Sequence, residues 1–454
     1  MADAAMPTAD ATPALPLTLG YATGETRGRR FGWPHLLLLI AVVLRLAYSA
    51  TKSNDPASLI NLPDQVEYWQ IARSVLQGEG LRFDDPATSE FLYAFRMPGY
   101  PLFVAACGAV LPIVRTAQAG LDGASVLAVY FLARRLRGPT AGIVAGLLVA
   151  LHPYLIYFSA TLLSETLFAA LLTWGTICLL SYRQKVRLLG VVVLLSGVFV
   201  RPSAIGLGIA AAGMALYGGR RPAMRAVTAM AAAAAVLAGA LGLWAVRNDH
   251  VLRHAAFLPK TNGLTAYVWT TTNSGYTAYD SFNPAADGSS DQKAFRVTMT
   301  DPAVAAAIDV PLTQPYHQWE ALRLIGEVGR DRLFNRLAWD YARQHPARAA
   351  TLAFAKLARF WSPWPMSSDF GDWKYVLVGS AFVVPFFGLV VVGIRRGGLG
   401  RRATLILLLP AIYFSVVHCV FVGSLRYRVP CDVPLAVLAG CGAASLVRPK
   451  AVRE

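Results

Sequence analysis

The chain has 454 residues, of which 55% are hydrophobic and 15% charged, and its mean hydropathy is +0.46. That balance excludes an ordinary soluble globular domain and leaves a polytopic membrane protein. A net charge of +16 does not point to nucleic acid here, because Lys and Arg come in short clusters between apolar segments and not along one face.

Residues 1–31 read as a disordered cytoplasmic tail, without the charged start, short apolar core and small-residue cleavage site of a signal peptide. Apolar segments of the roughly 20 residues needed to cross a bilayer follow near 32–52, 140–158, 160–182, 226–246, 376–394, 403–422 and 429–447. The stretch 97–137 has two apolar parts, one of them short, tilted or re-entrant. The stretch 187–218 is predicted to cross twice with about 16 residues each way, roughly 24 Å of helix. Basic clusters at 27–30, 133–138, 182–187, 218–225, 395–402 and 448–453 follow the positive-inside pattern. Both termini are then cytoplasmic, and two long segments face outward. The predicted organisation is a tail (1–31), an N-terminal transmembrane region (32–246) with a first outer loop (53–96), an outer periplasmic loop with interfacial helices (247–375), and C-terminal transmembrane helices with a tail (376–454).

Polar residues at the outer ends of spans are costly in lipid and therefore informative. In "NLPDQVEYW", Pro63 starts a helix that sets Asp64 and Glu67 one turn apart, with Tyr68 beside them. The local pattern admits two roles: a capping box that satisfies free backbone N–H groups, or reactive carboxylates at the membrane surface. In "FRMPGYPLF", two prolines and a glycine make a rigid turn that holds Arg96 and Tyr100 at the interface, either to meet a phosphate or Asp64, or as a snorkelling anchor. Glu165 in "TLLSETLF" is the only acidic residue between Asp122 and Asp249, and an isolated carboxylate at apolar depth needs a partner. Its bland alternative is a first-turn acid behind a helix-starting Ser164.

Basic and amide groups also gather at outer ends, against the positive-inside bias: Arg201, Arg247, Asn248, Lys260, Asn262, Asn273, Arg426 and Arg428. A phosphate at that interface would account for several together, since Arg forks bind phosphate oxygens in pairs. Within 247–375, Trp269, Tyr276 and Tyr279 amid Asn and Thr suggest a surface for sugar rings or a set of membrane anchors. Two amphipathic helices follow, broken at Pro346, with Leu333, Leu337, Tyr341, Leu352, Phe354, Leu357 and Phe360 at helical spacing.

Five cysteines form no Cys-x-x-Cys pair, the seven histidines show no metal-ligand spacing, and neither a P-loop nor a Gly-x-Ser-x-Gly turn occurs. The cysteines read as small buried hydrophobes. No metal site is specified and no cofactor is required, although Asp64, Glu67 and Glu165 could gather around a divalent cation.

Ten stretches in order resemble the GT-C superfamily of membrane glycosyltransferases, in particular family 39 proteins such as the protein O-mannosyltransferases and the lipid A aminoarabinose transferases. They are "LRLAYSA", "DQVEYWQIARSVLQGEG", "RMPGYPLF", "YFLARRLRG", "LHPYLIYFSATLLSETLF", "VRPSA", "WAVRN", "TNGLTAYVWTTTN", "ARQHPARAATLAFAKLARFWSP" and "RYRVPCDVPLAVLAG". The resemblance implies an all-α bundle of about ten to twelve transmembrane helices, with amphipathic helices and a loop-rich segment on the outer side. It implies transfer of a sugar from a polyprenyl-phosphate donor to a lipid, glycan or protein acceptor, at the periplasmic face of the inner (plasma) membrane. The first-loop catalytic Asp of the family falls on Asp64, and Glu165 matches a position where relatives carry an outward-facing acid. Protein O-mannosyltransferases typically carry Asp-Glu in that loop, whereas Gln65 follows Asp64 here. On this reading Asp64 is the base, Glu67 or Glu165 positions it, and Arg96, Arg247, Lys260, Arg426 and Arg428 receive the donor phosphate. Tyr68, Tyr100, Arg201, Asn248, Asn262 and Asn273 are the remaining substrate-binding candidates. The rival from another class is a transporter or flippase for a lipid-linked sugar, which would show inverted repeats and ionisable groups at mid-membrane.

Overall fold

The structure, a computed structural model, describes residues 32–85, 89–217, 221–254, 268–289, 301–311, 313–366, 370 and 372–447. The first span is helix α1 (Trp33–Ala50), and the first inter-span segment holds α2 (Pro63–Leu76) and a short hairpin of β1 (Phe83–Asp85) with β2 (Glu90–Leu92). Next come α3 (Gly99–Ala106) and α4 (Leu111–Arg137), bent by 114° to one another. Gly108 and Ala109, both at positive φ, make that reversal, which is why the apolar stretch 97–137 divides into a short and a long helix. Helices α5 (Pro139–Ala150) and α6 (Pro153–Ser159) bend by 51° at the break before Pro153.

Helix α7 (Glu165–Leu179) is shorter than the full span expected of 160–182, α8 (Gln184–Ser196) and α9 (Leu207–Leu216) are short, as the limited apolar length of 187–218 predicts, and α10 (Pro222–His254) is long. The second inter-span segment contains α11 (Ser274–Ser281), α12 (Pro302–Ile308), α13 (Pro315–Leu324), α14 (Gly326–Gln344) and α15 (Pro346–Trp361). Helices α16 (Trp373–Arg396), α17 (Arg401–Val420) and α18 (Leu425–Val447) complete the bundle. Among the described residues, five helices are long and apolar enough to cross a membrane, or seven if each bent pair is one span. The shorter apolar stretches Glu165–Leu179 and Pro202–Leu216 fall below that length. This is an all-α polytopic membrane fold.

Helix α18 is the axis of the bundle, buried along most of its length against α4, α5, α7 and α16. Small residues make this approach close: a Cβ on Gly440 would meet the Ala141 carbonyl, and one on Gly442 the Leu389 carbonyl. Helices α1 and α10 instead expose Leu39, Val43, Val236 and Leu243, an apolar surface suited to lipid.

Charge is also buried inside the bundle. Arg45 and Asp122, both fully enclosed, pair at 2.7 Å, and Arg45 also donates to the carbonyls of Ala41, Val149 and Ala150. Desolvating both ions is offset by this full set of partners, which ties α1, α4 and α5 together. Beyond the membrane-spanning helices, Tyr279, Phe282, Phe334 and Leu352 form a separate apolar cluster under α11, α14 and α15. Tyr276 packs on Phe334 and Tyr279 is buried, so neither lies on an open sugar-binding surface, while Trp269 is exposed. On α15, Leu352 and Phe360 turn inward as the spacing predicts, but Phe354 is exposed.

Candidate active site

Helix α2 begins at Pro63 with Leu62 as its N-cap residue, and no side chain caps it. The capping-box reading of Asp64 and Glu67 is thereby corrected: the capping carboxylate of this loop is Asp55, which accepts from the Ala57 N–H and starts the 3-10 turn Pro56–Asn61. Asp64 and Glu67, three residues apart, share one face of α2 and converge on Arg96. Arg96 Nη2 donates to Asp64 Oδ1 and its Nε to Glu67 Oε2, each at 2.5 Å. Arg96 is therefore not a snorkelling anchor.

The other oxygen of Asp64 accepts from Arg426 Nη1 at 2.8 Å, and Arg426 Nε donates to Glu165 Oε1. Arg201 Nη2 pairs with the same Glu165 oxygen at 2.6 Å, and its Nε donates to Ser164 Oγ at 3.0 Å. Ser164 is thus a partner of Arg201 and not a side-chain cap of α7. The result is a line of alternating charges, Glu67–Arg96–Asp64–Arg426–Glu165–Arg201, contributed by α2, the segment before α3, α7, the segment after α8, and α18. Arg426, in the middle of the line, is 27% exposed and Glu165 only 1%, so a ligand arriving from outside meets Arg426 first.

Burial alone would raise the Asp64 carboxyl, but the Arg96 and Arg426 guanidiniums outweigh it and hold the group well below the usual carboxylate range. Glu67 has the opposite balance: burial, with Asp64 beside it, outweighs Arg96 and pushes the carboxyl up to about 7. Two carboxylates three residues apart are therefore split into one that is ionised in the resting site and one that titrates near neutrality.

Distant elements fix the two arginines. Glu327 on α14 accepts the Tyr93 and Ala94 backbone N–H groups at 2.8 and 2.9 Å and the Thr272 hydroxyl at 2.5 Å. Thr272 N–H donates back to the Ala94 carbonyl, so the strand leading to Arg96 is held on both sides. The Arg96 guanidinium then lies 5.3 Å from the Tyr68 ring centroid, in cation–π range. Next to Arg426, Tyr427 stacks on His418 with centroids 4.3 Å apart, and Arg201 lies 5.4 Å from the Tyr427 centroid.

Asp64, Glu67, Tyr68, Arg96, Glu165, Arg201 and Arg426 are brought together, whereas other sequence candidates are not. Arg247 donates to the carbonyls of Tyr93 and Leu81 and to Asn248 Oδ1, and Asn248 donates to the Val268 carbonyl. Both stitch backbone and do not face the cluster. Arg428 is wholly buried, bound to Asp432 and to the carbonyls of Phe360 and Ser362. Tyr100 packs edge-on against Tyr68 of the cluster, with ring centroids 4.8 Å apart, but its buried hydroxyl turns away and donates to Gln118 Oε1 at 2.7 Å. Asn273 sits at the start of α11, where its carbonyl accepts from Thr277. Lys260 and Asn262 lie outside the described residues. Sequence reasoning missed Glu327 because a glutamate on an amphipathic helix carries no local signal that its partners are two backbone N–H groups far away in sequence.

Among the described residues no group of three His, Cys, Asp or Glu side chains could hold a metal ion. Each carboxylate of the cluster already faces a guanidinium, a donor set suited to exchange with an anion.

No family model matches the sequence, and neither does any curated protein. Among solved structures the chain is similar to archaeal oligosaccharyltransferase AglB from Archaeoglobus fulgidus in complex with an inhibitory peptide and a dolichol-phosphate. Identity is 14%, coverage 91% of this chain and 50% of that one, and the TM-score 0.47. The apo form of the Archaeoglobus fulgidus oligosaccharyltransferase gives 14% identity, 90% and 50% coverage and a TM-score of 0.45. ArnT from Cupriavidus metallidurans bound to undecaprenyl phosphate gives 14% identity, 91% and 78% coverage and a TM-score of 0.36. The chain spans about half the length of the oligosaccharyltransferase chains it resembles.

Proposed function

We propose that this chain is an integral membrane glycosyltransferase that moves a sugar from a polyprenyl-phosphate donor to an acceptor hydroxyl, with inversion, at the periplasmic face of a membrane whose cytoplasmic side holds both termini. One observation carries the reading: Asp64 is clasped between Arg96 and Arg426, two guanidiniums that can exchange a carboxylate for a phosphate. The likenesses to solved structures, all with TM-scores below 0.5, carry none of it.

The chemistry asks little of such a site. Polyprenyl phosphate is a stable anion and leaves without a general acid, so the reaction needs cations for the phosphate and one base for the acceptor proton. In the resting state the cations and the base neutralise each other. A donor phosphate that draws Arg96 and Arg426 toward itself removes the charges that depress Asp64 and makes its carboxylate a stronger base when it is needed. The acceptor oxygen attacks the anomeric carbon, the bond from that carbon to the phosphate oxygen breaks, and the proton passes to Asp64. Direct displacement inverts the anomeric centre. Glu165 and Arg201 hold Arg426 from behind, and Glu67 holds Arg96.

The test is transfer from a panel of radiolabelled polyprenyl-phosphate sugars by the purified chain in bilayers, with lipid flipping measured in parallel. Labelled product from one donor is the expected result. No product from any donor, with labelled lipid crossing the bilayer, would replace the transferase with a flippase.

A further inference from the structure

Beside the charge cluster, and not used by it, lies a half-open cavity of about 380 Å³. Its walls are the residues after α1, the 3-10 turn before α2, Gln65, and the connection from α6 to α7. It therefore shares two elements with the reacting carboxylates: Gln65 follows Asp64, and Thr161 precedes Glu165 by one helical turn of sequence. Gln65 Oε1 accepts from the Leu162 N–H at 2.9 Å and ties these two elements together.

The cavity is unbalanced in charge. Among the described residues that line it, two are cationic, Lys52 and Arg115, and none is acidic. Arg115 is 4% exposed and donates to the carbonyls of Ala160 and Ser53 and to Asn54 Oδ1, so among the described residues its charge meets dipoles but no carboxylate. Lys52 Nζ lies 4.6 Å from the Tyr48 ring centroid and 5.9 Å from that of Tyr157, and forms no ion pair among the described residues. By contrast Arg96, Arg201 and Arg426 each meet a carboxylate. Tyr157 and Phe370, with ring centroids 5.9 Å apart, add aromatic surface, while Ser58, Asn61 and Thr161 add hydroxyl and amide groups. Rings, hydroxyls and a net positive field together suit a polar ring that bears an anion.

We propose that this cavity is the acceptor subsite and that the acceptor is a sugar-like molecule carrying a phosphate or carboxylate, received by Lys52 with Arg115. The assignment rests on the glycosyl-transfer reading above. The donor phosphate already has Arg96 and Arg426; a second pair of cations, outside that cluster and unmatched by acids, serves a second anion. A lipid headgroup and a soluble sugar phosphate share this chemistry.

Two binding arms on the full chain in neutral phosphatidylcholine nanodiscs separate them. The soluble arm compares glucose 6-phosphate with glucose by calorimetry. The lipid arm compares phosphatidylglycerol with phosphatidylcholine retained on the protein by native mass spectrometry. In one arm the anionic probe is expected to be preferred by about tenfold, a preference lost in Lys52→Gln and kept in Lys52→Arg. The arm that responds identifies the source. No Lys52-dependent preference in either arm, from a wild type that turns over a polyprenyl-phosphate sugar, would overturn the cavity assignment alone. A Lys52-dependent preference in a wild type that turns over no donor would instead count against glycosyl transfer.

Discussion

Asp64 on α2 and Glu165 on α7 are bridged by one guanidinium, that of Arg426 at the start of α18. Both carboxylates thus depend on a residue from the most deeply buried helix of the bundle, and the geometry of the site is tied to the packing of α18. A lysine cannot span two carboxylates with a planar fork. Arg426→Lys is expected to raise the KM for a polyprenyl-phosphate sugar by about tenfold or more while the protein stays folded. An unchanged KM would remove Arg426 from donor binding.

Glu67 supplies a pH dependence whose sign follows from its environment. Its folded pKa is raised to about 7 from an ordinary 4.5, so protonation is favoured by the fold. The associated stability is fully present below the unfolded value and lost as pH rises through about 7. On the proposed function, the anionic Glu67 above that pH would compete with donor phosphate for Arg96. The KM for donor should therefore rise as pH increases through about 7 in the wild type, and stay flat in Glu67→Gln. Steady-state kinetics across that range decide it; the same inflection in the variant would assign it to another group.

The fully buried Arg45–Asp122 pair offers a test of the scaffold independent of catalysis. Arg45→Met strands a carboxylate inside the bundle, a loss of about 3–5 kcal/mol. Thermal unfolding in detergent should show a marked fall in Tm, with most of it recovered in Arg45→Met/Asp122→Leu. Equal instability of the single and double variants would mean that the fall comes from lost packing and not from the stranded charge.

The sequence makes the membrane class, most span positions and the short helices of 187–218 readable, because each depends on local apolar length. It also singles out Asp64, Glu67 and Glu165, acids that stand out beside apolar segments. Arg426, Arg428 and Arg247 look alike on the same grounds, yet Arg426 reaches two carboxylates while Arg428 and Arg247 bind mainly backbone carbonyls. Two positions along α18 separate outward reach from deep burial, and that rotation is set by packing against α5 and α16. Tyr276 and Tyr279 show the same limit, since whether an aromatic residue faces a ligand or Phe334 depends on an α14 that lies far along the chain. Arg45 could be seen only as the end of a span; its partner Asp122 is visible only in three dimensions.

Glu327 sets the segment that carries Arg96, and its carboxylate accepts two backbone N–H groups and a hydroxyl. Glu327→Gln turns one acceptor oxygen into an amide NH2 that faces donors. A loss of about 1–3 kcal/mol in stability is expected, together with a lower kcat that Asp64 variants would not compound additively. Additive losses in the double variant would place Glu327 outside the Arg96 and Asp64 unit.

The central claim is that Asp64 takes the acceptor's proton while Arg96 and Arg426 hold the donor. Sugar transfer by Asp64→Asn, with polyprenyl-phosphate sugar binding measured on the same preparation, tests it most directly. The account predicts a fall in transfer rate of about 10²–10⁴ with donor binding retained or strengthened, because the arginines lose a competing carboxylate. Transfer at the wild-type rate would contradict it.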